Sequence, residues 1–439
     1  MDHDTRHNLT QIFNSAIAAV DPYAAVKEHL RISGSTLFVG NEGYALPDIS
    51  RIYVVGAGKA AYGMAKAAEE VLGELINEGA VVTKDGHGGL LERVELYEAS
   101  HPVPDGRGLV AAKRIVEIIS RAGEDDLVLC LLSGGASALM ALPVQGISLK
   151  DKQAVTRLLL ASGADIGEIN CVRKHLSAIK GGRLAVAAYP AQVASLIISD
   201  VLGDDIGVIA SGPTAPDETT YLQAKEILQI RGVYGRLPDG VKELLDKGVR
   251  GDLPETPKPE AETFARVRNV VAASNLAALR KAEEVAGYLG YDAYILDSEV
   301  HGEAREVAWR LAEDALKLRG QGIDRPACII VGGETTVTVR GAGKGGRNQE
   351  QALAFAMKVR GEDGIAALFA GTDGTDGPTD AAGAFADGSA VERGWRMGLR
   401  AEAYLLDNDS YHFFEMTGDL FVTGPTGTNV MDIGVILLS

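Results

Sequence analysis

The stretch Arg51-Ile-Tyr-Val-Val-Gly-Ala-Gly-Lys-Ala-Ala61 decides how the chain folds. Its first five residues read as a short buried strand, Gly56 and Gly58 permit a tight turn, and the alanine-rich run that follows is helical. Strand, glycine turn and helix make the opening βα unit of a doubly wound sheet. The spacing Gly56-x-Gly58-x-x-Ala61 also approaches the dinucleotide fingerprint, in which Gly58 would lie against a phosphate. Two features count against a nicotinamide cofactor. The next strand ends at Thr83-Lys84-Asp85, where the ribose-binding acid is not cleanly placed. Lys59 also sits inside the turn, a cation beside the positive end of a helix dipole, which an anion or carboxylate partner would relieve. A catalytic or anion-binding Lys59 therefore stands beside a nucleotide turn and a solvated lysine as readings of this stretch.

Working outward, the apolar strand Leu127 to Leu132 ends in Ser133-Gly134-Gly135-Ala136-Ser137. Backbone N–H donors, two hydroxyls and a helix start suit a carboxylate or a phosphate. A tight structural turn is the plain alternative. A nucleophilic serine is disfavoured, because the Gly-x-Ser-x-Gly elbow is absent and no histidine carries a triad signature. A further strand, Val193 to Ile198, runs into Ser199-Asp200-Val201-Leu202-Gly203-Asp204-Asp205, with Ser211-Gly-Pro-Thr214 beyond. Small and polar groups thus recur where strands finish, and in an open α/β sheet those carboxyl ends form the ligand crevice. His101, flanked by Pro102 and Pro104, and His175 read first as hydrogen-bonded structural histidines.

The chain opens with an amphipathic helix carrying Ile12, Phe13, Ala16, Ile17 and Val20. Between about 235 and 262 the composition shifts, and Leu253-Pro-Glu-Thr-Pro-Lys-Pro-Glu260 reads as a connecting segment. The expected division is a Rossmann-like α/β domain over 1–260 and a smaller α/β domain with a mixed sheet over 261–439. Arg268 to Ala273 begins the second series. Within it lies Cys328 to Val359, where an apolar run reaches Gly332-Gly333-Glu334, an alternating strand follows over Thr336 to Val339, and glycines at 341, 343, 345 and 346 surround Lys344 and precede Arg347. Asn348, with Gln351 three residues on, fits the N-cap of the next helix. Glycines, two cations and a helix N-terminus describe an anion-binding loop; a glycine-tipped surface hairpin is the alternative. Leu420 to Val422 and Ile433 to Leu438, joined by a glycine loop, suggest an antiparallel pair.

Acids that suit a metal are Asp200, Asp204, Asp205, Glu334, Asp373, Asp376 and Asp380. Magnesium needs only one or two carboxylates when phosphates and waters complete its shell. A calcium loop counted from Asp373 fails, with Pro378 and Ala384 where glycine and glutamate belong. Each acid singly is more often a turn former. Neither lysine turn is a Walker A motif, since no Ser or Thr follows the lysine, and no zinc spacing occurs.

Composition sets the outer limits. The 439 residues exceed one ordinary core, and 43 basic against 60 acidic residues give a net charge of −17, which disfavours nucleic acid or an anionic membrane as a partner. Three cysteines, Cys130, Cys171 and Cys328, are odd in number and mostly inside apolar runs, so a disulfide framework is not expected and a reducing cytoplasm fits. The N-terminus lacks a basic region before an apolar one, and no apolar run reaches transmembrane length.

Taken in order, the blocks Val54-Val-Gly-Ala-Gly-Lys-Ala60, Ser100-His-Pro-Val-Pro-Asp105, Leu132-Ser-Gly-Gly-Ala-Ser-Ala-Leu139, Val172-Arg-Lys-His-Leu-Ser177 with Lys180-Gly-Gly-Arg183, Ser199 to Asp205, Gly332-Gly-Glu-Thr-Thr336, Gly345-Gly-Arg-Asn-Gln-Glu350, Gly371-Thr-Asp-Gly-Thr-Asp-Gly377 and Gly424-Pro-Thr-Gly-Thr-Asn429 resemble the class II glycerate 2-kinases with a C-terminal MOFRL domain. Ala136 departs from a third glycine common in that family. The resemblance implies ATP- and Mg²⁺-dependent phosphorylation of D-glycerate to 2-phosphoglycerate in a cleft between the two domains, with Lys59 and Arg347 as the key pair. Asp200 is the expected general base. Gly58, Ser133, Gly134, Gly135, Ser137, Arg173, Gly345 and Gly346 are the expected substrate and phosphate contacts, and Asp204, Glu334, Asp373 and Asp376 the expected metal ligands. The expected partner is the small molecule D-glycerate, with no nucleic acid and no membrane; a homodimer is compatible with the sequence. The rival readings are a hydroxypyruvate reductase using NAD(P)H and a non-catalytic metabolite-binding protein.

Overall fold

The computed structural model describes residues 1–321 and 325–439. The chain divides into two compact units, Pro22–Ala272 and a second formed by Met1–Asp21 with Ala273–Ser439.

The first unit is built on a six-stranded sheet. Its strands lie in the order Val94–Ala99, Ile76–Lys84, Ile52–Ala57, Leu127–Leu132, Gln192–Ile198 and Val267–Ala273. The first five run parallel. In chain order this is 3-2-1-4-5-6, the doubly wound arrangement expected from the Arg51 stretch. All six residues of Ile52–Ala57 and of Leu127–Leu132 are buried, which explains their unbroken apolar character. Burial of each larger side chain there contributes about 1.5–3 kcal/mol. Helices Ala61–Leu72 and Gly106–Ile119 cover this sheet, the second started by Asp105, whose side chain accepts from Arg107 N and Gly108 N. A small antiparallel meander, Leu30–Ser33, Thr36–Val39 and Glu42–Ala45, precedes the sheet. Helices Leu149–Ala161, Ile166–His175, Tyr221–Ile230 and Asp239–Val249 share a separate apolar core that includes Val155, Leu159, Val172, Leu228 and Leu245.

The second unit carries a mixed sheet in the order Asp292–Glu303, Ala327–Thr336, Asp432–Leu438, Ile365–Gly371, Gly383–Asp387 and Leu420–Phe421. Only the first pair is parallel. The chain's opening helix, His3–Ala19, belongs here. It packs on helix Asn275–Tyr288 and the Asp432–Leu438 strand, with Phe13 edge-on to Phe421 at 5.2 Å between centroids.

Four sequence expectations change. Arg268 to Ala273 does not begin the second series; it completes the first sheet beside Gln192–Ile198, moving the division from 260 to Ala272/Ala273. The amphipathic first helix lies on the second unit because its apolar face is matched there, a nonlocal choice that its own pattern does not encode. Leu420–Phe421 and Asp432–Leu438 are not paired with each other: the former joins Gly383–Asp387, and the latter lies between Ala327–Thr336 and Ile365–Gly371. The Cys328 strand runs through Gly332-Gly333 to Thr336, and residues 337–339 are irregular.

Candidate functional site

In the first unit the functional groups gather where the strand order reverses, at the carboxyl ends of Ile52–Ala57 and Leu127–Leu132. These strands pair with Ala57 opposite Leu132, so the turns that follow lie side by side. Gly58 has φ +139°, and a Cβ there would lie 2.0 Å from Ser133 Oγ. That closeness lets Ser133 Oγ accept from Ala60 N at 3.1 Å, while Lys59 N donates to Gly134 O at 2.8 Å, Gly58 N to Val82 O and Ala61 N to Gly58 O. Every amide from Gly58 to Ala61 is therefore spent inside the protein. A dinucleotide turn keeps these amides for a pyrophosphate, so the fingerprint at Gly56 is a packing device, and Gly58 and Ser133 brace the turn.

The second turn is differently disposed. Its own ladder runs from Ser133 N to Ala57 O and from Ala136 N to Ser133 O, leaving the Gly134 and Gly135 amides outside it. A Cβ on Gly134 would lie 2.2 Å from Asp200 Oδ2. One on Gly135 would lie 3.1 Å from the His101 ring and 3.3 Å from Lys59 Cγ. Lys59, His101 and Asp200 thus converge on one pair of glycines. Burial, with Lys59 and Lys84 adding to it, lowers the His101 pKa to about 4, so its ring is neutral near pH 7. Sequence reasoning ranked His101 as structural; its flanking prolines were the only local signal.

Ser137 faces away from this turn toward a polar interior. Its Oγ lies 2.6 Å from Ser211 Oγ, which donates to Asn170 Oδ1 at 3.0 Å, and Arg173 Nη2 donates to Ser137 O at 3.2 Å. Ala210 and Ser211 both have positive φ, +54° and +62°, a strained backbone that places the Ser211 hydroxyl. Asp204, also at positive φ, sits in the turn after Asp200.

In the second unit Arg347 opens the helix Arg347–Lys358. Its Nε and Nη2 bind both oxygens of Asp432, at 2.5 and 2.9 Å, and Nη1 meets Glu334 Oε1 at 2.6 Å. Burial alone would lower the guanidinium pKa, but Asp432 and Glu334 hold it above its ordinary value. Asn348 is not the N-cap. Gly346 occupies that position, and the capping side chain comes from Asp376, which accepts from Asn348 N at 3.1 Å and Gln349 N at 2.8 Å. A Cβ on Gly346 would lie 2.3 Å from Asp376 Cγ, so glycine is needed for the approach. Burial raises Asp376 to about 7 against the lowering effect of those two amides.

The anion-binding loop expected over 341–346 is largely something else. Arg340 N and Gly341 N donate to Asn408 Oδ1, Ala342 N to Asp407 Oδ1, Gly343 N to Asp407 O and Lys344 N to Asp409 Oδ1. The loop is docked on a turn more than sixty residues away, and Lys344 Nζ stands 3.8 Å over the Tyr411 ring. Gly345, Gly346 and Arg347 remain as the part directed by the helix start.

Of the expected metal ligands, Glu334 is engaged by Arg347 and Asp376 by the helix N-terminus. Asp373 accepts from Thr375 N and Thr375 Oγ1, forming an Asx turn. Among the described residues, no three His, Cys, Asp or Glu side chains come together to hold a metal. Asp432 was missed by sequence reasoning, since it reads as the polar residue before a strand.

Fold and loop chemistry together define a two-unit α/β protein with cations and carboxylates at its strand and helix ends, the places where such folds take small anionic ligands. Residues 8–246 match a domain of unknown function, DUF4147, and residues 327–432 match the MOFRL family. The chain is 40% identical to glycerate 2-kinase of Pyrococcus horikoshii, over 99% of this chain and 98% of that one. It is 43% identical to an Agrobacterium vitis protein named provisionally as a hydroxypyruvate reductase, over 100% and 95%. The crystal structure of glycerate kinase from Thermotoga maritima matches 100% of both chains with a TM-score of 0.88 and 42% identity. The chain belongs to the glycerate kinase family with a C-terminal MOFRL domain.

Proposed function

We propose that this protein transfers the γ-phosphoryl group of ATP to the 2-hydroxyl of D-glycerate, giving 2-phosphoglycerate and ADP. The observation that carries the reading is the pair of turns at the sheet's switch point. The Gly58–Ala61 amides are consumed internally, against a nicotinamide cofactor, while Lys59, Asp200 and His101 surround Gly134 and Gly135. Phosphoryl transfer relies on positioning and charge stabilisation, and a lysine beside glycine amides supplies both for an oxyanion. Arg347, fixed by Asp432, is the second proposed cation. Asp200, whose carboxylate lies against Gly134, is the proposed acceptor of the hydroxyl proton, and neutral His101 stands beside Lys59 at Gly135 as an uncharged neighbour.

Magnesium is proposed in its usual nucleotide mode, held mainly by phosphate oxygens with a carboxylate such as Asp204 completing its shell, where it would offset phosphate charge. A cytoplasmic location is part of the same proposal. Among the described residues no helix is long and apolar enough to cross a membrane.

Incubation with glycerate, ATP and Mg²⁺ tests the reading: ADP should form in proportion to glycerate consumed. Oxidation of NADH or NADPH with hydroxypyruvate, and no ADP, would favour the reductase instead.

A further inference from the structure

Near Ser137 and Arg173, both expected substrate or phosphate contacts, lie two buried lysines that the roles above do not use. Lys152, on helix Leu149–Ala161, is 7% exposed, and its Nζ is buried without a hydrogen-bond partner. Lys180 is 1% exposed; among the described residues its Nζ reaches only Ser137 Oγ and Ala210 O, both at 3.4 Å. Arg173 completes the group through its bond to Ser137 O. Among the described residues, no carboxylate forms an ion pair with any of the three, whereas neighbouring Lys174 has Asp217 at 3.3 Å. Arg183, close by, is likewise held by neutral oxygens: the carbonyls of Lys174 and Ser177 and the Tyr221 hydroxyl.

Such an arrangement is costly. A buried ammonium with no counterion loses hydration worth several kcal/mol, and here the cations also repel one another. Burial first, then Arg173 and Arg183, bring Lys152 to about 7, and burial with Arg173 and Lys152 brings Lys180 well below its ordinary value. The charge is local, in a chain whose net charge is −17. Unlike a stabilising core, it is organised around acceptors and donors that an anion would complete: the linked hydroxyls of Ser137 and Ser211, the latter on strained backbone, and the Arg173 fork.

We propose that Lys152, Lys180 and Arg173 form an oxyanion-binding site on the Ser137–Ser211 hydroxyl pair, whose missing counter-charge is supplied by the ligand. This rests on the kinase reading only for the source of the oxyanion, which is either the carboxylate of glycerate or a phosphoryl group of the nucleotide. Arg173 and Ser137 contact the anion, and the two lysines set the field behind it.

The test compares wild type with Lys152→Met, which keeps the stem and removes the charge. Thermal melting without ligand and calorimetric titration with glycerate alone, ATP alone and inorganic phosphate alone are the measurements. Lys152→Met should melt at or above the wild-type temperature and bind at least one of the three probes at least about tenfold more weakly; the probe affected identifies the source. Equal binding of all probes by both proteins, or no binding of any probe by wild type, would overturn the proposal. If Lys152→Met does not fold, Lys180→Met is held to the same two criteria, and if neither variant folds, the lysines are structural and the proposal fails. Weakened phosphate binding in a protein that forms no ADP from glycerate would leave this site standing and remove the kinase reading.

Discussion

Arg347 and Asp432 form a two-point contact, Nε to Oδ2 at 2.5 Å and Nη2 to Oδ1 at 2.9 Å, that fixes the guanidinium plane at the start of helix Arg347–Lys358. The strand that carries Asp432 lies in the middle of the second sheet, so the arginine is anchored to a rigid element rather than to its glycine loop. Glu334 takes the remaining side of the fork.

If Arg347 stabilises the transferring group, Arg347→Ala lowers turnover at least about tenfold, equal to about 1.4 kcal/mol of transition-state stabilisation. Arg347→Lys should not restore it, because a lysine cannot reproduce the bidentate geometry. Asp432→Asn should cut turnover while leaving nucleotide affinity less affected. Steady-state kinetics of the three variants check this; wild-type turnover in Arg347→Ala would take the residue out of the reaction.

Lys59→Ala is expected to lower turnover by at least about tenfold as well. Its side chain lies along Gly135 and its amide is already committed to Gly134 O, so the backbone should survive the change. A melting temperature close to wild type together with the rate loss is the expected result. Unchanged turnover would return Lys59 to the surface-lysine reading.

Gly58→Ala tests the bracing of the two turns. At φ +139°, with a Cβ 2.0 Å from Ser133 Oγ, alanine strains the backbone and displaces the hydroxyl that caps Ala60 N. The combined cost is at least about 2 kcal/mol, readable as a lower denaturant midpoint. An unchanged midpoint would show that the two turns are not packed as described.

Half-buried His101 and buried Asp376 give stability opposite slopes with pH. His101 has its pKa lowered by burial to about 4, below an unfolded value of about 6.5, so its contribution is complete above about 6.5 and is lost as pH falls toward 4. Asp376 is raised by burial to about 7, above its ordinary 3.8, so its contribution is complete below that ordinary value and is lost as pH rises through 7. Thermal melts of His101→Gln should flatten the acid limb, and those of Asp376→Asn the limb approaching neutrality. Parallel pH profiles for wild type and both variants would refute both assignments.

What could be read from the sequence was what local pattern encodes. The Arg51 stretch carries its own strand, turn and helix, and the Leu127 strand its own burial, so the first sheet and its switch point were legible. The Gly341–Gly346 loop misled because its glycines do mark close approach, but to Asp407, Asn408 and Asp409, which no local spacing reveals. The same holds for Asp376 capping a helix twenty-eight positions back and for Asp432 pairing with Arg347 across 85 residues. The placement of His3–Ala19 and Val267–Ala273 likewise depends on partners far along the chain. Lys152 gave no signal at all, because a lysine on an amphipathic helix is ordinarily solvated.

The central claim is transfer to the 2-hydroxyl, and the most direct measurement is the identity of the phosphorylated product. Purified protein with D-glycerate, ATP and Mg²⁺ should yield a compound that enolase converts to phosphoenolpyruvate without any added mutase, in amounts equal to the ADP formed. Product that enolase accepts only after a mutase is supplied would be 3-phosphoglycerate, and would contradict the account.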